Sequence, residues 1–339
     1  EMKQRGLIQS DSAESMTDPD SILMDPGREW TSSSVLMDPN LSADLVDFNR
    51  DPLSDSQRDS LVIQLLNRKT GELKSLLGIA DSMTIHTSRD SAGLELIQAA
   101  ARNSNPEALF ILGRIYQQGF KTRKNLITAL ACYVRAYRLG SPKAAEVLVT
   151  LLDDTSIYDS LQLGIRKNNP EAMFVRAAIS ALGFDYRLTQ SQAMDLLLKA
   201  VEKKYPAAAI EAGLCYYTGT LVDKNKTKAH QYWNRAAQFG DREGLIRIAF
   251  TTILEDSSQT HSHRDEIHTL HQAAEQGSVL AQASLAYCYR NGIGIMQDKG
   301  RAAGLYWSAA QRGNDAAYLS LKSMIDEIRP ADPEFLMPE

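Results

Sequence analysis

A small residue returns along this chain at Ala108, Ala172, Ala208, Gly244, Ala281 and Ala317, and the last four intervals are 36, 36, 37 and 36 residues. A fixed period of that length narrows the fold more than composition can. It marks one supersecondary unit that is copied and stacked, because a single copy cannot bury its own apolar face. The first interval, 64 residues, fits one normal unit and a shortened one within "PKAAEVLVTLLDDTSIYDSLQLGIRKNN".

The same offsets recur inside each unit. Five residues after the marker stands a second small side chain: Gly113, Ala177, Gly213, Ala249 or Ala286. Eight after it comes Tyr116, Tyr216 or Tyr289, and eleven after it Gly119, Gly183, Gly219 or Gly292. Further alanines follow, such as Ala129 and Ala136, and Gly140, Gly240, Gly277 and Gly313 close the units. Pro106, Pro170 and Pro206 stand where a helix begins, a position that needs no backbone N–H. Small residues let two helices approach, tyrosine is expected to fill the gap, and glycine takes the left-handed turn that ends a helix. Each unit therefore reads as an αα-hairpin.

Three stretches show the pattern best: "EALFILGRIYQQGFKTRKNLITALACYVRAYRLGS", "AAIEAGLCYYTGTLVDKNKTKAHQYWNRAAQFGD" and "AQASLAYCYRNGIGIMQDKGRAAGLYWSAAQRGN". They resemble Sel1-like repeats, relatives of the tetratricopeptide repeat that run about two residues longer. The resemblance covers residues 106–328 and weakens in the units at Glu171, Arg242 and Pro142. It implies an all-α fold, a right-handed α-solenoid of stacked αα-hairpins. It also implies an adaptor or assembly factor in place of an enzyme. Residues 56–105 read as N-terminal capping helices and a degenerate unit, and 315–328 as a closing helix. Residues 1–55, rich in Ser, Asp and Pro, form an extended arm with too little apolar surface to offset ordering. Residues 329–339 return to that texture.

Net charge is -5, against the clustered Lys and Arg that phosphate backbones require, so no nucleic-acid partner is expected. No apolar run is long enough for a transmembrane helix. The three cysteines cannot make a complete disulfide set, and Cys132, Cys215 and Cys288 fall at core offsets as inert thiols. No phosphate loop, nucleophile elbow or carboxylate pair appears, so neither catalysis nor a cofactor is expected. The rival from another class is a metal-dependent sensor or hydrolase using His261, His263, His268 and His271, since His268 and His271 share a helix face. The solvated loop is the favoured reading of that cluster.

In the solenoid that the resemblance implies, the first helix of each unit lines the concave side. Offsets six, nine and ten are then expected to form a partner-binding groove, with Arg114, Gln117, Leu214, Tyr217, Phe250, Ile253, Leu254, Tyr287 and Arg290 along it. An open wall of that apolar character marks an interaction site. The arm says one phrase twice: Ser21-Ile-Leu-Met-Asp-Pro26 and Ser34-Val-Leu-Met-Asp-Pro39. Leu23, Met24, Leu36 and Met37 are adaptable apolar anchors, Asp25 and Asp38 suit a cation, and proline stiffens the chain. Two copies suit bivalent docking onto equivalent protein sites. The expected partners are peptide segments or complex subunits. Between an exported and an intracellular protein, the start at Glu1 and the exported members of the family tip the expectation towards the periplasm or envelope.

Overall fold

The computed structural model describes residues 55–68, 70–77, 92–255 and 263–328. The arm motif residues Leu23, Met24, Asp25, Leu36, Met37 and Asp38 lie outside them, as does His261. Helices alone make up the regular structure of the described residues. Three precede the repeats: α1 (Asp55–Asn67), α2 (Thr70–Leu77) and α3 (Ala92–Arg102). The hairpins follow: α4 (Pro106–Gln118) with α5 (Leu126–Arg138), α6 (Pro142–Leu152) with α7 (Ser156–Arg166), and α8 (Pro170–Ala181) with α9 (Gln190–Glu202). Next come α10 (Pro206–Thr218) with α11 (Lys226–Gln238), α12 (Glu243–Glu255) with α13 (Arg264–Glu275), and α14 (Val279–Asn291) with α15 (Lys299–Gln311). Helix α16 (Asp315–Ile328) closes the stack.

Local chemistry sets each hairpin. Gly119, Gly219 and Gly292 end the first helices at φ 81°, 83° and 68°, and their N–H groups bond back into the last turn. The side chains of Asn125, Asn225 and Asp298 then cap the second helices, each accepting from the backbone N–H three residues on. At the turns between units the backbone is left-handed whatever the residue. Gly140, Gly240, Gly277 and Gly313 supply it in four places, and Ser104, Asn168 and Lys204 adopt it at φ 57–59° in three.

The gap between paired helices is filled from the second helix, which differs from the expectation that the offset-eight tyrosine does so. Tyr133, Leu197, Trp233 and Tyr306 sit at the matching offset and are fully buried. A Cβ on Gly113 would lie 2.5 Å from the Tyr133 ring, and one on Gly213 would lie 2.2 Å from Trp233 Nε1. Where the large residue is Leu197, the small one opposite is Ala177. Tyr116 and Tyr216 are half-buried at the hairpin surface, because the ring from the facing helix already occupies the interior, while Tyr289 at the same offset is buried.

Two layers result. First helices of the regular units are buried over most of their surface, as Pro106–Ile115 of α4 and Val279–Arg290 of α14 show, while α6 of the shortened hairpin buries one face alone. Second helices α9, α11, α13 and α15 keep an exposed outer face. The shortened hairpin α6–α7 lets α8 pack against α5 as well as α7. Gly164 of α7 permits this approach, since a Cβ there would meet Ala172 at 2.6 Å.

Gly213→Ala is expected to destabilise the protein. Overpacking against Trp233 costs about 1–3 kcal/mol, while helix propensity returns about 1 kcal/mol. Chemical denaturation should show a net loss, and adding Trp233→Leu, which copies the Ala177–Leu197 pairing, should recover part of it. A neutral Gly213→Ala would mean that the close approach does not set the helix spacing.

Candidate functional site

The expected groove is closed. Arg114, Leu214, Tyr217, Phe250, Ile253, Tyr287 and Arg290 are buried, while Gln117 and Leu254 are half-buried. The physical reason is orientation. Offsets six and nine meet side chains of neighbouring helices, within the hairpin at Gln117 and Tyr217 and along the stack at Phe250 and Arg290. The Phe250 ring packs edge-on against Tyr287 at 5.7 Å. Arg290 donates to Ser320 O, Ser323 Oγ and Glu327 of α16. Arg114 pairs with Asp59 of α1 at 2.5 Å, and Gln117 accepts from the Tyr133 hydroxyl at 2.6 Å. These residues tie helices together within and between units and present no open wall.

Charge that reads as surface charge in the sequence is drawn to the inside where the turns between units converge. Arg138 holds Glu211 through two hydrogen bonds. Arg135 reaches Asp241 at 3.1 Å and Glu243 at 3.5 Å, and Arg247 meets Glu243 at 2.7 Å. Ser104 donates to Glu243, and Asn103 Nδ2 donates to Gln276 O across 173 residues. Asn314 Nδ2 donates to Leu139 O across 175 residues, and Asp315 N donates to Gly140 O. The superhelix therefore folds its own later units onto its earlier ones. A cavity of about 10 Å³ remains among Arg135, Arg138, Phe174, Ile210, Glu211 and Glu243, room for about one water. Burial works against the charge of Glu243, but Arg247 and Arg135 outweigh it and hold the carboxyl below its usual range. Asp241 moves the other way, raised by burial despite Arg135.

The histidines do not converge. His263 is buried beside the Gly294 turn, His268 is exposed, and His271 Nε2 lies 3.1 Å from the Tyr289 hydroxyl. Among the described residues no group of three or more His, Cys, Asp or Glu is placed to hold a metal ion. The thiols are buried, and burial pushes Cys132 and Cys288 up to about 12, so neither is a nucleophile at neutral pH.

What remains open is the edge made by the turns inside each hairpin. Neighbouring turns touch there: Gln190 Nε2 donates to Thr220 O at 3.5 Å, Lys226 pairs with Glu255 at 3.2 Å, and Gly294 packs on His263. Lys121, Arg123, Lys124, Arg187, Lys224, Lys226, Lys228, Lys299 and Arg301 are exposed along it. Two turn tips carry the most exposed large apolar side chains described, Tyr186 at 88% and Met296 at 84%. The Arg187 guanidinium lies 3.7 Å from the Tyr158 ring centre, and Lys228 lies 5.0 Å from that of Tyr216. Tyr186 and Met296 fall between the repeating offsets, so the period gives no signal for them.

The family model described as Sel1 repeat matches residues 106–141, 206–241 and 279–314, which hold α4–α5, α10–α11 and α14–α15. Chitin synthase regulator SKT5 of Malassezia restricta is 29% identical over 133 residues, covering 38% of this chain and 9% of that protein. DAP3-binding cell death enhancer 1 of Mus musculus is 31% identical over 104 residues, 30% of this chain and 20% of that protein. F-box protein At1g70590 of Arabidopsis thaliana is 29% identical over 106 residues, 31% of this chain and 28% of that protein. The matched segments span under a third of each of these relatives. Two solved structures are similar: a Sel1 repeat protein from Oxalobacter formigenes (22% identity, 71% of this chain, 86% of that chain, TM-score 0.43) and c5321, a protective antigen of uropathogenic Escherichia coli with an SLR fold (17%, 83%, 54%, 0.37).

Removing the Glu243 carboxylate should show how much the inner ionic cluster matters. Glu243→Ala leaves Arg247 and Arg135 facing each other without their shared partner, a change that costs about 3–5 kcal/mol when the pair is buried. Because the folded-state value of Glu243 is depressed, its contribution is present above the ordinary 4.5 and is lost as the pH falls through the lower folded value. Urea denaturation across pH 3–7 should therefore show a smaller acid-induced loss in Glu243→Gln than in the unaltered protein.

Proposed function

We propose that this chain, which is a Sel1-repeat protein, acts as a non-catalytic scaffold that organises a larger assembly, and that it engages its partners on its outer edge. Sel1-repeat solenoids are in general protein-interaction scaffolds. The observation that carries the reading is the contrast between a closed inside and an exposed turn edge. The first helices spend their side chains on neighbouring helices, and the residues expected to line a groove are buried or half-buried. The turn edge instead exposes basic side chains, together with two turn tips whose apolar side chains stand open to solvent.

Among the relatives, the names describe a regulator of chitin synthase and a DAP3-binding protein, both defined by what they act upon. A scaffold that serves another protein is the activity of the same kind proposed for this chain. The finer placement, in an envelope complex for secretion, motility or polymer export, rests on exported members of the family. The curated relatives reported above come from a fungus, a mouse and a plant and do not add to it.

Native purification of the intact chain tests the reading. A stoichiometric partner should be recovered, and Lys224→Glu with Lys226→Glu and Lys228→Glu should weaken its retention by about tenfold or more, with a strong salt dependence. His268→Ala should leave retention unchanged. A stoichiometric bound metal that disappears in His268→Ala would overturn the scaffold reading in favour of the metal-dependent one.

A further inference from the structure

The turn edge pairs cations with exposed apolar tips, and the sequence contains a segment with the complementary chemistry. Arg187 stands next to Tyr186, and Lys299 follows Met296 by three residues. We propose that this edge is the docking surface for the doubled Ser-x-Leu-Met-Asp-Pro segment, residues 21–39 of this same chain. The proposal rests on the reading of the edge as the scaffold's contact surface and names its occupant.

Charge supplies the first argument. Residues 11–47 carry nine acidic side chains and one basic one. The edge exposes the opposite sign at the turns after α4, α8, α10 and α14, most densely at Lys224, Lys226 and Lys228, while the turn after α6 is acidic at Asp153 and Asp154. Side-chain chemistry supplies the second. Each copy of the phrase sets Leu and Met beside Asp, and each of the two tips sets one apolar side chain close to a cation. Arg187 and Lys299 already lie 3.7 Å from Asp185 and 3.6 Å from Glu327 but keep more than half of their side chains exposed, so an apolar anchor on the tip would bring a further carboxylate beside each.

Spacing supplies the third. The Tyr186 turn joins α8 to α9, the Met296 turn joins α14 to α15, and three stacking steps separate them. At about 10 Å per packed helix layer, the tips lie on the order of 30 Å apart. Two phrases 13 residues apart span at most ~43 Å when extended. Both copies can therefore reach both tips. The 15 residues from Asn40 to the start of α1 extend to about 50 Å. Exposed acids at Asp223 and Glu255 interrupt the run of basic side chains, which suits an acidic protein segment better than a continuous phosphate backbone.

Hydrogen exchange on the full chain tests this. Residues 21–39 should exchange about tenfold more slowly than an unprotected chain, and about 0.5 M salt should reduce that protection. Lys224→Glu with Lys226→Glu and Lys228→Glu, or Tyr186→Ser with Met296→Ser, should release the segment while the amides of α10 keep their protection. Changing Leu23, Met24, Leu36 and Met37 together to Ala should in turn speed exchange at residues 183–189 and 292–298. Protection that grows with protein concentration supports the same contact made between two copies. Exchange of residues 21–39 at the unprotected rate over a hundredfold concentration range would overturn the proposal. So would binding of the edge to a DNA duplex or an anionic vesicle with no protection of the segment. Segment protection that persists in a preparation lacking a co-purified partner sustains this inference and places the failure on the scaffold reading.

Discussion

The approach of Gly213 to Trp233, and of Gly113 to Tyr133, is the contact from which the rest of the architecture follows. With no side chain on one helix, a ring from its partner can lie across the backbone. The two helices of a hairpin are thereby fixed at a short distance and a set orientation. Trp233 secures the arrangement further by donating Nε1–H to Ile210 O at 3.2 Å. Hairpins held this closely stack tightly, and tight stacking turns first helices such as α4 and α14 inward until they are buried over most of their surface. Among the described residues, that packing leaves the outer helices and the edges as the surfaces most open to other molecules.

Much of the fold was legible in the order of residues because it depends on short separations. The helix-ending glycines, the capping Asn and Asp residues and the alternation of small and large side chains all act within about 36 residues. The turn at Lys204 was harder to see, since a lysine occupies a left-handed position that glycine fills elsewhere. The interior charge was not legible at all. Arg138 and Glu211 are 73 residues apart, and Arg135 and Glu243 are 108 apart. Nothing local distinguishes them from solvated residues, and only the curvature of the whole stack brings them together. The groove was misread for a related reason. Offset periodicity tells which face of a helix a residue occupies, but not whether that face meets solvent or the next helix.

Buried ion pairs are weak evidence for stability, because desolvation offsets much of their attraction. Here their value lies in position. Arg135 is partly buried and gathers two carboxylates from the start of α12, while Arg247 approaches the same Glu243 from within that helix. An apolar cluster would hold the same elements together with less demand on register. A shared carboxylate requires both guanidinium groups to arrive at one point, which fixes how far α5 stands from α12.

A stack of identical units can ordinarily lengthen by copying one of them, since each unit touches only its neighbours. The bonds from Asn103 to Gln276 and from Asn314 to Leu139 take that freedom away. Inserting a unit between α5 and α16 would rotate the later turns past the carbonyls they now meet. Gene duplication within this stretch thus meets a geometric veto that an open solenoid would not impose. The number of repeats becomes a fixed property of the molecule, much as the number of subunits is fixed in a closed ring.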